Sequence, residues 1–491
     1  VVRGRTIRGG RAGRPAPVLM PGLMPVLVPA LVSISAVLTG SAAAAPAAGL
    51  RGDPPAYRTA AGARPVQGAK SPSGAPRLAP GTYTDSLARG DEKFYAVHLD
   101  GKSSAYLSAV AAPRPGSEVA DHTDSLKVSI RDADGNTCSS GGSTAFRGRG
   151  MAYPIADYAT RRIDGPRTNC QSAGTYYFVV KRVGVGKPSA EGAGRWPVEL
   201  RHQREPGLTG TPPAPPGPGT WSTTAPVPLT GGTKKNIEGG TSFNDAAPIG
   251  KGVWQDRIKP GETRFYRVPV DWGQQLNVSA ELGAGKLEGG DGGSGVGVGA
   301  DAGSGTGVGA DSGGVGRGSM RGPGVVAGSR LVASALGLGV YNPARGPVSG
   351  TRFVPYDGKP VAIKLFTAPV AYGNRYNAAA PVSAMRFAGS YYLAVSLHPD
   401  AAKYFKDGAP VTLRVDPVGR PQPGPHYREK AADFSVAPQE RAAADDGMSV
   451  QQAAQHGTLR VLGYSGISTG AVLLLALGVW AVVARWRGGR A

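Results

Sequence analysis

The chain has 491 residues, room for two or three domains, with 76 Gly, 43 Pro and only 7% aromatic residues. Glycine and proline make up about a quarter of it, near the range of disorder, so cores are modest and linkers long. The net charge of +21 favours polyanionic partners, although Arg-rich codon usage would produce the same charge. The only two cysteines lack nearby Cys/His spacing, which argues against a thiolate metal site.

Residues 1–14 carry Arg3, Arg5, Arg8, Arg11 and Arg14, residues 15–40 are apolar, and SAAAAPA follows. Basic, apolar and small-residue regions in that order form a secretory signal, so 1–44 is read as a signal peptide cleaved near Ala44. Pro15, Pro17, Pro21, Pro25 and Pro29 argue against an uncleaved anchor helix, since interior proline disrupts helical hydrogen bonding. Residues 45–78 are Pro/Ala/Gly-rich and read as a disordered linker. The RGD at Arg51–Asp53 is a match that an Arg/Gly-rich chain produces by chance.

A first module is expected over 79–203. In GDEKFYAVHLD (Gly90–Asp100), Tyr95, Val97 and Leu99 alternate with Phe94, Ala96 and His98, the period-two pattern of a strand with one buried face. SLKVSIRDADG (Ser125–Gly135) aligns Leu126, Val128 and Ile130, and AGTYYFVV (Ala173–Val180) and PVEL (Pro197–Leu200) follow. Cys138 and Cys170 are expected to pair as a disulfide outside the cell.

Residues 204–236 form a Pro-rich linker, and the pattern then returns over 237–417. GETRFYRVPVD (Gly261–Asp271) repeats the first strand at an offset of 171, with Tyr266, Val268 and Val270 on the apolar face. ALGLGVYNPARG (Ala335–Gly346), AGSYYLAV (Ala388–Val395) and PVTL (Pro410–Leu413) answer the later segments in the same order. The second copy is longer because 283–328 is a Gly/Ser/Ala/Asp run, read as a flexible insertion with neither a phosphate-loop nor a calcium-nonapeptide pattern.

Residues 418–463 read as a polar linker with a short helix around Val450–Gln455. The uncharged run 464–484 has 21 residues, about 31 Å as a helix, enough to cross a bilayer core of about 30 Å. Arg485, Arg487 and Arg490 follow in the basic tail 485–491, which places that end in the cytoplasm. The expected fold is therefore mainly β: two tandem antiparallel jelly-roll-like β-sandwiches plus one C-terminal transmembrane helix.

The repeated segments resemble the bacterial pre-peptidase C-terminal domain family. Its glycine, tyrosine-bearing strand, Asp/Asn-Gly turn and Gly-x-Tyr-Tyr strand map onto Gly90, Tyr95, Val97, Leu107, Asp134, Gly135, Gly174 and Tyr176. In the second copy they map onto Gly261, Tyr266, Val268, Gly273, Leu276, Val278, Gly389 and Tyr391. The resemblance covers both copies, roughly half the chain or more, through structural rather than catalytic signatures. It implies jelly-roll-like sandwiches, found beside secreted peptidases and on surface proteins, without catalysis of their own. The layout also resembles actinobacterial surface proteins that append such modules to a von Willebrand A-type domain, but no D-x-S-x-S signature occurs here. The first copy departs from the family by its cysteine pair, the second by its glycine-rich insertion.

Candidate chemistry is sparse. The six histidines (His98, His122, His202, His398, His426, His456) form no H-E-x-x-H and flank no nucleophile signature. Asp132, Asp134 and Asn136 in DADGN are the candidate calcium ligands, three oxygens at alternating positions, although a plain hairpin turn explains them more simply. Tyr83, Trp254, Tyr177 and Tyr392 are either a sugar-stacking face or packing residues. No cofactor, catalytic residue or nucleic-acid partner is expected. The leading expectation is a non-enzymatic, single-pass surface protein of the cell envelope, its N-terminal ectodomain outside, binding anionic wall polymers or envelope proteins. Alternatives are an accessory subunit of a secreted peptidase, an envelope hydrolase without a recognisable motif, and a calcium-dependent adhesin.

Overall fold

The alternating segments form strands, and each copy assembles them into a pair of facing sheets. A computed structural model describes residues 53–163, 169–184, 194–213, 221–287 apart from 225 and 228, 330–455, 477–481 and 485. The first copy contains β1 (Arg64–Pro65), β2 (Gly81–Leu87), β3 (Glu92–Leu99), β4 (Ser104–Ala111), β5 (Ser125–Arg131), β6 (Thr137–Ser140), β7 (Thr144–Ala145), β8 (Ile155–Arg161), β9 (Gly174–Val183) and β10 (Trp196–Glu205). The second contains β11 (Lys234–Asn236), β12 (Ala247–Pro248), β13 (Gly252–Ile258), β14 (Thr263–Val270), β15 (Gln275–Leu282), β16 (Val332–Tyr341), β17 (Pro347–Tyr356), β18 (Val361–Phe366), β19 (Gly389–Leu397) and β20 (Ala409–Val418).

The sheet order in the first copy is β1-β2-β10-β4-β8 facing β3-β9-β5-β6, with β7 beside β5. The second reads β11-β13-β20-β15-β18 facing β12-β14-β19-β16-β17, the same order of counterpart strands with β12 added at one edge. Pairing is antiparallel apart from the short edge strands β1, β11 and β12, which run parallel to their neighbours. Tyr95, Val97, Leu126, Val128, Ile130 and Phe178 fill the first core; Tyr266, Val268, Leu336, Leu338, Val340 and Tyr391 fill the second. All of these except Phe178 and Tyr391 are residues that alternation assigned to the buried faces.

The duplication extends to the polar groups. Asp85 accepts hydrogen bonds from Gly68 N (2.9 Å) and Tyr95 Oη (2.7 Å); Asp256 accepts them from Gly239 N (2.8 Å) and Tyr266 Oη (2.6 Å). A Cβ at Gly68 or Gly239 would lie 2.6 or 2.8 Å from the Tyr95 or Tyr266 ring, so close approach to the tyrosine requires glycine there. Likewise Arg64 lies over Tyr83 and Lys235 over Trp254 (4.4 and 5.2 Å to the ring centroids). The Tyr83 hydroxyl and Trp254 Nε1 each donate to a carbonyl four residues back, Ala79 and Gly250, both at 3.0 Å.

Several expected linkers carry structure. Within 53–78, Arg64–Pro65 pairs with Tyr83–Thr84, and Ala69 bridges Phe94 as Gly240 bridges Phe265. This segment is the start of the first module, not a disordered linker. Strand β10 enters 204–236 as far as Glu205, and Leu208 bridges Tyr427. In 418–463, Phe434 is buried and α2 (Pro438–Asp445) buries Ala443 and Ala444; residues 450–455 are also helical, where a short helix was expected. Composition misled here because Pro/Gly/Ala-rich sequence suits edge strands and docked loops as well as free chain. The proposed signal peptide, Arg51 and Gly52 of the RGD, His456, residues 288–328 of the insertion, and most of 464–484 lie outside the described residues. No helix among the described residues is long and apolar enough to cross a membrane.

Candidate functional site

The outward face of β4, β8 and β10 in the first copy is closed off from solvent. A sandwich normally leaves this face wet, yet Tyr106, Ser108, Val110, Ala156, Glu199, Gln203 and Glu205 are all buried. The second copy covers them. Tyr106 packs edge-on against Phe387 and Phe434 (centroids 4.8 and 5.4 Å), while Val110 and Ala156 join a cluster with Phe243, Phe265 and Tyr341.

Two buried ion pairs cross this contact. Glu199 on β10 meets Arg345, whose Nη2 also donates to Asn244 Oδ1 at 2.7 Å. Asn244 Nδ2 (2.9 Å) and Ala60 N (2.7 Å) donate to Glu199 Oε2, and Tyr57 Oη (3.2 Å) donates to Oε1. Glu205, at the end of β10, receives Arg375 through two parallel bonds of 2.8 and 2.9 Å. It also accepts from Tyr106 Oη (2.6 Å) and Tyr427 Oη (2.7 Å). Burial alone would raise the Glu205 pKa; the charge and hydrogen bonds of Arg375, then the two tyrosines, outweigh it and hold the carboxyl below its usual range. Burial opposes the Arg375 charge, and Glu205 outweighs that too, raising the guanidinium above its ordinary value. A buried carboxylate with four donors is well compensated, and losing one partner would strand the other.

Beside these pairs, a cleft of about 620 Å³ opens between the copies. One wall is β6 with the following Gly141 and Gly142, the end of β8 and the Asn169–Gln171 loop; the other is the chain from Arg375 to Arg386. Arg161 anchors the first wall. Its buried guanidinium donates to the carbonyls of Cys170 (3.0 Å), Ser103 (2.8 Å) and Ser172 (3.0 Å), a neutral cage that pins the disulfide loop. Two further arginines face the space: Arg162 over Tyr376 (5.8 Å) and Arg386 over Tyr158 (5.7 Å). The Arg162 pKa is lowered, first by burial and then by the neighbouring charge of Arg386, with Arg375 adding to it. Asp157, also on the wall, is buried without a cation and accepts from Tyr158 N (2.8 Å) and Ser143 N (3.1 Å). Desolvation outweighs these bonds and pushes its pKa up to about 7.

The sequence candidates fall elsewhere. Cys138 and Cys170 form a disulfide with Cα atoms 5.8 Å apart, at the rim of the cleft. Asp132 closes a turn: Oδ1 accepts from Asp134 N (3.1 Å) and Asn136 N (2.8 Å), and Oδ2 from Asn136 Nδ2 (3.1 Å). In the second copy Asn342 Oδ1 makes the same bonds to Ala344 N and Gly346 N (3.0 and 2.9 Å), without charge. The turn therefore needs an oxygen, not a carboxylate. No group of three His, Cys, Asp or Glu that could hold a metal occurs among the described residues. His98 is exposed on β3, and buried His202 lies 3.2 Å from the Leu78 carbonyl. Tyr83 and Trp254 are buried at 5% and 1% exposure, and Tyr392 packs edge-on against Phe243, so these three present no shared sugar-stacking face; Tyr177 is half-buried on β9.

Glu199, Glu205, Arg345, Arg375, Arg162 and Arg386 escaped the sequence reading. Their partners across the contact lie more than a hundred residues away, and no local pattern marks them. A signal was present only at NPARG, where Arg345 replaces the glycine of the matching DADGN turn.

Comparison with known proteins adds little. No protein-family model matches the chain, and no curated protein matches it. Among solved structures, the N-terminal CBM22-1–CBM22-2 tandem domain of Paenibacillus barcinonensis Xyn10C is similar at 9% identity, over 69% of this chain and 92% of its own, with a TM-score of 0.16. The tandem CBM51 modules of a family 98 glycoside hydrolase from Streptococcus pneumoniae match at 8% identity, over 68% and 83%, with a TM-score of 0.16. The ANX2 ectodomain from Arabidopsis thaliana matches at 9%, over 69% and 86%, with a TM-score of 0.16. Scores this low carry no argument about ligand or ancestry, and the functional reading rests on the chain's own geometry.

Proposed function

We propose that the chain is a non-enzymatic envelope protein whose two pre-peptidase C-terminal-like sandwiches act together as one binding or scaffolding head. In this reading 1–44 is removed as a signal, 464–484 anchors the protein in the membrane, and 485–491 stays in the cytoplasm. The observation that carries the binding role is the cleft that neither copy forms alone, held by the Glu199–Arg345 and Glu205–Arg375 pairs. Paired modules on flexible linkers would have no reason to bury two ion pairs between them, because buried pairs contribute little stability but fix geometry. The partner is an anionic wall polymer or an envelope protein.

The test is retention. Detergent-solubilised full-length protein, immobilised and washed with fractionated wall extract, should hold a polymer or protein and leave it chemically intact. Empty fractions overturn the binding role. Turnover of a peptide or glycan that disappears on substituting a single His or Asp establishes an enzyme instead.

A further inference from the structure

We infer that the inter-sandwich cleft is an oxyanion site for an anionic glycopolymer, with Arg162 of the first copy and Arg386 of the second clasping one carboxylate or phosphodiester group between them. This inference rests on the binding role proposed above and names the chemistry of that same site.

Among the described residues, neither Arg162 nor Arg386 forms an ion pair; the nearby acids are committed elsewhere. Glu205 is spent on Arg375 and two tyrosines. Asp433 pairs with Arg201 and Glu429 with Arg204. Asp157 is turned onto backbone N–H groups, and its raised pKa leaves it partly neutral near pH 7. Among the described residues, the cleft therefore carries uncompensated positive charge in a partly dry place, where like charges repel more strongly than at an open surface. A bound anion would relieve that repulsion.

Geometry then selects the anion. Guanidinium is a planar fork of donors that matches carboxylate and phosphate oxygens. Both forks are already oriented: Arg162 lies over the Tyr376 ring and Arg386 over the Tyr158 ring. Arg386 is only 6% exposed and is further held by Ser383, through its carbonyl and its hydroxyl (Nη2–Oγ 3.3 Å). Pre-orientation lowers the entropy cost of binding. Ser140, Asn169 and Asn377 line the same space and offer hydrogen bonds to hydroxyl groups rather than to bare ions. At about 620 Å³ the cleft has room for a short run of sugar or polyol units, not for a lone ion.

The experiment uses solubilised full-length protein and fluorescent probes in 50–150 mM salt: an oligogalacturonate for the carboxylate arm, poly(glycerol phosphate) for the phosphodiester arm, neutral dextran, and single-stranded DNA of matched charge. At least one anionic glycopolymer should bind 10-fold or more tighter than dextran and DNA, and weaken as salt rises. Arg162→Gln should reduce that binding about 10-fold at an unchanged melting temperature, and Arg386→Gln at least as much, while Lys234→Gln on the remote edge strand leaves it unchanged. Which arm binds identifies the source of the anion. Equal binding of dextran, tighter binding of DNA, or full binding by Arg162→Gln overturns the inference. Wall retention that survives Arg162→Gln sinks the cleft but spares the binding role, whereas empty wall fractions with wild-type protein sink both.

Discussion

Arg345 occupies the turn position that Gly135 holds in the first copy, and both have left-handed backbones, with φ of 63° and 88°. For glycine that conformation is free; for arginine it costs about 1 kcal/mol or more. The strain persists because the guanidinium beyond it closes on buried Glu199. One duplicated turn has thus kept its backbone and changed its task, from an exposed hairpin tip to a bolt between modules. Arg345→Gly should relieve the strain yet destabilise the protein by about 3–5 kcal/mol, because Glu199 is left charged and unpaired in the interface. Urea unfolding checks this. The double variant Arg345→Gly/Glu199→Gln should recover part of the loss, since the stranded charge is gone.

Glu205 supports four hydrogen bonds, and two come from single hydroxyls. Tyr427→Phe deletes one of them, and with it one of the ties between the C-terminal segment and β10. A bond to a charged group contributes about 1.5–3 kcal/mol, so a loss of that size is expected in thermal or urea unfolding. Tyr106→Phe should cost a similar amount, while Glu205→Gln should cost more because Arg375 loses its carboxylate partner.

Asp157 gives a pH signature of definite sign. Its folded pKa, about 7, is raised above the ordinary value of 3.8, so the folded state binds the extra proton between those limits. Stability from this group is complete below about pH 4 and is lost as pH rises towards 7. The full swing is of order 2–4 kcal/mol. The difference in melting temperature between wild type and Asp157→Asn, followed from pH 4 to 8, isolates it: wild type should lose stability relative to the variant across that range and run parallel above it. A flat difference contradicts the assignment.

The Asp132 turn predicts indifference to calcium. Asn342 performs the same capping in the second copy with an amide, so Asp132→Asn should change stability by less than about 0.5 kcal/mol. Added Ca²⁺ should leave the melting midpoint of wild type where it was; a rise of several degrees would mean that the native state binds the ion.

The strands that sequence made legible are those that keep polar residues such as His98 and Arg267 on the second face, although Phe94, Ala96 and Phe265 on that face are buried as well. Tyr95, Val97 and Leu99 and their counterparts Tyr266, Val268 and Val270 repeat at a fixed spacing, and a two-residue period can mean little else. Strand β4 and the outward side of β10 were harder, because the second copy buries both faces and alternation loses its meaning there. The short β1 escaped because two residues carry no period, although the match of Arg64 and Tyr83 to Lys235 and Trp254 continues the 171-residue offset. Disulfide pairing was forced by there being only two cysteines. The interface and cleft were invisible: Glu205 and Arg375 are 170 residues apart, and nothing in PVELRHQRE or AYGNRYN distinguishes a solvated charge from a buried one.

The central claim is that Glu199, Glu205, Arg345 and Arg375 hold two sibling sandwiches in one fixed relation. Spin labels at Lys127→Cys and Lys364→Cys, both exposed and on strands of different copies, measure it by pulsed electron–electron double resonance. A single narrow distance, broadened when Glu199→Gln and Glu205→Gln are introduced together, is the predicted result. A broad distribution in the otherwise unaltered chain, as for beads on a flexible thread, would contradict it.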